Sequence, residues 1–273
     1  MEIDYTKVVA DVSKEIVKDA YNDVAHPAAQ NAGGVLGTIT GFFNHVVLYP
    51  LKKLNIKYEQ KAIEFQRGFE KKYEKVPEEN RVEPQINIVG PTLESLKYNI
   101  MEDDLAEMFS NLLVSNMDKT TQGLCTPSFV KVIEQLTPND ARTFATMYRR
   151  FKQDDKLPVS SIKYTLEKDS KYTLREEYYP KYFTNFAVKD ISGSELSKSL
   201  QNLHRLGLIE IDFMKHYTDQ SVYEAILNSN EVASIIEWTR CVLNEQYRAE
   251  TKSKGVIFMN EFSHDFAKVC LRN

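Results

Sequence analysis

Three cysteines, five histidines and one tight run of acids are the residues of this chain that could carry chemistry. Cys270 lies near His264-Asp265, and a thiol with a base and an orienting carboxylate are the residue types of nucleophilic catalysis. A free cysteine near the end of an amphipathic helix, however, is usually a small buried hydrophobe, and that reading fits here. Glu102-Asp103-Asp104 offers oxygen ligands for a cation, yet acids crowd into the first turn of a helix because its positive end favours them. None of His26, His45, His204, His216 and His264 stands at helical metal-ligand spacing from a second histidine or a carboxylate in a polar setting. A phosphate-binding loop, a dinucleotide fingerprint and a nucleophile elbow are all missing. These observations point to a protein that is not an enzyme, with no catalytic residues, no metal, no cofactor and no small-molecule substrate.

Nucleic acid is the next class of ligand to consider. The stretch SGSELSKSLQNLHRLGLIEIDF reads as a helix with Leu196, Leu200, Leu203 and Leu206 on one face, Gly207 as its C-cap and a short strand over Leu208–Phe213. A helix that ends in Leu-Gly-Leu-Ile and feeds a strand resembles the third helix and first wing strand of winged-helix domains. Its polar face offers Lys198, Gln201, Asn202, His204 and Arg205 against Glu195, and Lys198 and Arg205 are the candidate contacts. That is thin for a groove reader in a chain with net charge −4 and pI near 5.8. Nucleic-acid regulation is therefore kept as the alternative function.

A third chemistry is that of surfaces. No formally charged residue occurs from Val24 to Leu51, in a chain that is 27% charged. Within this run Gly33, Gly37 and Gly41 recur every four residues, Phe42 and Phe43 follow, and Lys52 and Lys53 close it. Glycines at that spacing share a helix face and admit close approach of another backbone. The 28 uncharged residues exceed the ~20 that span a hydrocarbon core. Pro27, Asn31, Asn44, His45 and Pro50 interrupt the run and argue against a permanent span. In the resting state the expectation is a helix packed through its glycines on a neighbour. On release, Val35, Leu36, Ile39, Phe42, Phe43, Val46 and Val47 would insert while Lys52, Lys53 and Lys57 meet anionic lipid.

The elements that must position these residues are mostly helical. Tyr5–Val24 has an apolar stripe at i, i+4 spacing. Leu54, Tyr58, Ala62, Phe65, Phe69, Tyr73 and Val76 mark a long amphipathic helix, read as one arm of a helical hairpin. Residues 77–91, PEENRVEPQINIVGP, read as a connector, and helices follow over Pro91–Ile100 and Glu102–Met117. Thr126-Pro127 and Thr137-Pro138 are N-cap and N1 pairs, with Asp140 at N3 of the second. Beyond about residue 155, β-branched and aromatic residues in VSSIKYTLEK and SKYTLREEYYPKYF suggest strands, and Ser229–Tyr247 reads as a further helix. Charge is segregated as well. Residues 52–75 carry eight Lys/Arg against four Glu, and residues 76–118 carry nine Asp/Glu against two Lys/Arg, so the two segments should pair.

The run from Val76 to Ala141 carries a family resemblance in PEEN, EP-x-INIVGP, MFSNLLVSNMD and PSFVKVIEQLTP, in that order. It resembles the core of the Abi-alpha family, and GGVLGTITGFFN…YPLKKLN resembles that family's glycine-bearing N-terminal part. The likeness covers roughly residues 25–240. It implies a bacterial or prophage-borne protein of abortive infection, a phage defence in which infected cells stop growing or die. It implies no active site.

The expected fold is mainly α, with an N-terminal long-helix and hairpin region and a helical core, followed by a smaller α+β winged-helix-like C-terminal unit. Segment boundaries are placed at 1–76, 77–153 and 154–273. Cys125, Cys241 and Cys270 are too few and scattered for a disulfide framework or a zinc site. The acidic N-terminal stretch MEIDYTKVVADVSKE lacks the features of a secretory signal. The expected location is the cytoplasm with peripheral access to the inner membrane, and the expected partners are a protein, a second copy or an anionic membrane surface.

Overall fold

The computed structural model describes residues 32–168, 172–177, 181–243 and 247–272, so the stripe over Tyr5–Val24 lies outside the described residues. Contacts divide the chain into two compact units: Met1–Gln135 with Lys268–Asn273, and Leu136–Ala267. The chain is mainly helical, with an antiparallel sheet confined to the second unit.

The first unit begins with a helical rod in three parts. Helix α1 (Ala32–Phe43) passes into a π-helical turn (Asn44–Leu48) and then α2 (Tyr49–Lys52), which contains Pro50. Proline has no N–H to give to a carbonyl of the preceding turn, and its ring crowds that turn. The wider turn just before it accommodates both effects, with the Tyr49 N–H reaching back five residues to the Asn44 carbonyl. A sharp corner at Lys53–Asn55 leads into α3 (Ile56–Glu74), where the Asn55 side chain accepts from the Lys57 N–H as an N-cap. The rod and α3 pack together as a hairpin, with the Phe43 and Phe65 rings stacked at 5.6 Å.

Helices α4 (Ile86–Asn99), α5 (Asp103–Ser115) and α6 (Pro127–Glu134) complete this unit. Helix α4 starts five residues earlier than the sequence predicts and runs through Pro91. The residue before a proline is normally pushed out of the α region by its Cβ, and Gly90 has none. The buried Thr92 hydroxyl donates to the Ile88 carbonyl in the same turn. Ile88, Leu93 and Leu96 of α4 are fully buried, as are Phe109 and Leu112 of α5 and Ile133 of α6. The segregated charges meet across α3 and α5: Lys61 pairs with Asp103 at 2.9 Å and Lys72 with Glu107 at 2.6 Å. Burial pulls the Lys72 pKa below its ordinary value despite the opposing pull of Glu107.

The end of the chain is pinned to the same unit. Asn111 Nδ2 donates to the Cys270 carbonyl at 2.9 Å, and the Ser115 hydroxyl donates to the Val269 carbonyl at 3.0 Å. Arg272 pairs with the buried carboxylate of Asp118 at 2.5 Å. Burial alone would raise the Asp118 pKa. Hydrogen bonds from the Thr120 hydroxyl and N–H, together with Arg272, outweigh it and hold the carboxyl below its ordinary 3.8.

In the second unit α7 (Pro138–Phe151) starts with a capping box in which Thr137 accepts from the Asp140 N–H and Asp140 accepts from the Thr137 N–H. Strands β1 (Leu157–Lys168), β2 (Tyr172–Glu177) and β3 (Phe183–Thr184) precede α8 (Gly193–Arg205), which is capped by Ser192 and Glu195 and stopped by Gly207 at φ +73°. Then come β4 (Glu210–Asp212), α9 (Ser221–Leu227), α10 (Asn230–Leu243), β5 (Tyr247–Phe258) and α11 (Glu261–Cys270), the last of which crosses the unit boundary. Strand β1 pairs β5 along one edge and both β2 and β3 along the other, and β4 pairs β5, all antiparallel. Ile162, Phe183, Tyr223, Ile226, Val232 and Ile236 form a core beneath the sheet.

Strand β5 replaces the end of the helix predicted over Ser229–Tyr247, since α10 stops at Leu243. The first part of that strand, RAETKSK, has no apolar alternation to announce it. Gly255 within it is closely packed: a Cβ there would stand 2.8 Å from the Asp212 carbonyl oxygen and 2.8 Å from Phe213 Cδ1. Because one of those atoms is backbone, Gly255→Ala is expected to destabilise the protein by about 1–3 kcal/mol. Thermal unfolding would register this as a lower Tm.

Candidate functional site

The chemistry-bearing residues do not assemble into a reactive centre among the described residues, where no group of three or more His, Cys, Asp or Glu could hold a metal ion. Cys270 is fully buried and burial pushes its thiol well above its ordinary pKa. Burial likewise pushes the Cys125 thiol up to about 12. His264 is exposed on α11, while Asp103 and Asp104 lie in the first turn of α5.

Lys198 and Arg205 are both exposed on α8. The Arg205 guanidinium donates to Asn202 Oδ1 through Nε at 3.0 Å and Nη2 at 2.8 Å, and Asn202 Nδ2 donates to the capping carboxylate of Asp140 at 2.8 Å. Two of the candidate polar side chains, Asn202 and Arg205, are thus joined in a structural chain running from α8 to the start of α7.

The uncharged segment is organised differently. Ile39, Phe42, Phe43, Val46, Val47 and Leu51 are buried, and they follow one face of the rod against α3 and α4. Phe42 and Phe43, placed by the sequence in a membrane or helix-packing segment, are core residues in this state. Gly37 lies on the other side: it is exposed, and among the described residues no heavy atom beyond its own helix backbone comes within 4 Å of where its Cβ would be. Among the described residues no close packing is made at Gly37, and the larger apolar face supplies the contacts of the rod. Gly33 and Gly41 continue the same spacing along α1, Gly41 being partly exposed.

At the far end of the rod the chain turns in the open. Every residue from Lys52 to Tyr58 is exposed. Tyr49 is 61% exposed, Leu54 69% and Ile56 71%. Periodicity assigns Leu54 to the buried stripe of α3, but Leu54 precedes the Asn55 cap and so falls off that stripe. Lys53 and Lys57 flank it, and Lys52 contacts Glu59 at 3.4 Å. Sequence reasoning does not find Ile56 and Tyr49 as exposed groups. The signal available in sequence is Asn55, an N-cap that starts a new helix and strands its neighbours in the turn. No helix among the described residues is long and apolar enough to cross a membrane.

Comparisons with known proteins place these features in context. No curated protein matches the chain. A solved structure of an uncharacterised protein from the hydrocarbon-degrading marine bacterium Alcanivorax borkumensis SK2 covers 55% of this chain and 94% of its own, at 12% identity and a TM-score of 0.33. That likeness is too weak to define a common fold. The family model described as abortive infection alpha matches residues 57–270, which take in α3 through α11. With most of its length matched, the chain belongs to the Abi-alpha family.

Proposed function

We propose that this protein acts in abortive infection without catalysing a reaction, through protein contacts or through membrane perturbation by its glycine-bearing helix. The supporting observation is the two-sidedness of the rod. Its apolar face is held in the core of the first unit, while its Gly37 side meets no neighbour among the described residues and would admit a second backbone. At rest the apolar face is sequestered, and the protein is cytoplasmic with peripheral access to the inner membrane. An infection signal frees the rod, and Ile39, Phe42, Phe43, Val46 and Val47 exchange the protein interior for lipid.

Gly37→Leu separates the two states. The site is open among the described residues, and replacing an exposed helical glycine gains about 0.8–1 kcal/mol of helix propensity. The variant is therefore expected to fold with unchanged or higher stability and yet to lose phage protection, because the added side chain blocks close backbone approach. Infection assays with a membrane-potential dye and cell fractionation read this directly. Full protection by Gly37→Leu protein, with no wild-type protein in the membrane fraction at any stage, would sink the membrane version.

A further inference from the structure

We infer that the corner between α2 and α3 is a preformed docking surface for an anionic lipid bilayer. Leu54 and Ile56 would enter the interface, and Lys52, Lys53 and Lys57 would meet phosphate headgroups. The inference rests on the membrane reading above and deepens it, because this surface is exposed before any release of the rod.

Three observations select the occupant. Leu54 and Ile56 are each about 70% exposed on consecutive sides of a tight turn, with Tyr49 and Tyr58 beside them. Apolar tips bordered by tyrosine are suited to the boundary between headgroups and acyl chains. Second, the segment Tyr49–Glu59 contains three lysines and one acid, Glu59, which contacts Lys52 at 3.4 Å, so its local charge stays positive in a chain of net charge −4. Lysines on long stems can keep their ammonium groups among headgroups while the neighbouring side chains go deeper. Third, a symmetric contact with a second copy would bring these lysines against their own mates, which disfavours that occupant. Burying the corner in lipid also leaves the Phe43–Phe65 stack and the rest of the core untouched.

The test is cosedimentation of the purified full chain with vesicles. Wild type is expected to bind vesicles of phosphatidylglycerol and phosphatidylethanolamine, to release as salt rises, and to bind phosphatidylcholine vesicles weakly. Leu54→Ser with Ile56→Ser should weaken binding to the anionic vesicles by about tenfold or more. Lys52→Gln with Lys53→Gln and Lys57→Gln should remove its salt dependence. Tm should be unchanged in the serine variant, since both positions are exposed. Wild-type protein that ignores anionic vesicles overturns the inference, as does a serine variant that binds as well as wild type. A concentration-dependent dimer abolished by the serine variant would assign the surface to a second copy instead. A marked fall in Tm would assign it to another part of this chain. Vesicle binding without depolarisation in cells would leave this surface standing and remove the membrane-perturbing function. Depolarisation by a wild-type protein that does not bind vesicles would do the reverse.

Discussion

Asp118→Ala is expected to destabilise the first unit by about 2–4 kcal/mol, the cost of losing its ion pair with the partly exposed Arg272 and its hydrogen bonds from Thr120. The carboxylate is nearly inaccessible, at 4% exposure, and serves two partners at once. It accepts from Arg272 at 2.5 Å, and from the Thr120 N–H at 3.0 Å and hydroxyl at 2.7 Å. Removing it leaves the Arg272 guanidinium without its ion pair and the turn after α5 without its internal acceptor. Urea unfolding at neutral pH measures the loss as a lower midpoint. The pH dependence has a fixed sign. The folded-state pKa is depressed below 3.8, so the contribution is present above that value and disappears as pH falls through the folded pKa. The gap between wild type and Asp118→Ala should therefore narrow in acid. A gap that stays constant down to strongly acidic pH would show that the ion pair is not the origin of the stability.

Phe43→Ala is expected to cost a similar amount, about 3–5 kcal/mol, from lost burial and the cavity left behind. Phe43 is 3% exposed and stacked on Phe65 with the planes 10° apart. Its consequence differs from that of Asp118→Ala because it loosens the rod in particular. Under the proposed function, the variant should shift toward the membrane fraction and slow growth before any infection. Phe43→Leu should fall between it and wild type in both stability and fractionation. Equal loss of stability with no change in fractionation or growth would mean that holding the rod down is not what keeps the protein quiet.

Local rules are the most legible part of the fold. Thr126-Pro127 and Thr137-Pro138 start helices as predicted, because an N-cap oxygen and a proline at N1 act within one turn and need no tertiary partner. Gly207 ends α8 for the same reason. The pairing of the basic α3 with the acidic α5 is visible too, since segregated charge has few other partners. What escapes the sequence depends on remote neighbours. Strand β5 is held by β1, far earlier in the chain, and not by any periodicity of its own. Pro91 reads as the start of a helix in sequence, yet α4 begins at Ile86 and Gly90 allows it to run through the proline. Gly37 reads as a packing surface because spacing reports which residues share a face, while only the fold decides which face is used.

The hydrogen bonds that tie Val269, Cys270 and Arg272 to α5 and the turn after it span between 154 and 159 residues of sequence. The second unit is thus an insertion within the first, and the first cannot close until the ribosome has passed residue 272. During synthesis the rod emerges ahead of the other described elements, long before the residues that complete its unit. A chain interrupted after α6 would already hold the rod's packing partners α3 and α4, but would lack the hydrogen bonds that close the unit around α5. Completion of the first unit is therefore a late event of synthesis, reached only after the strands of the second unit have been made.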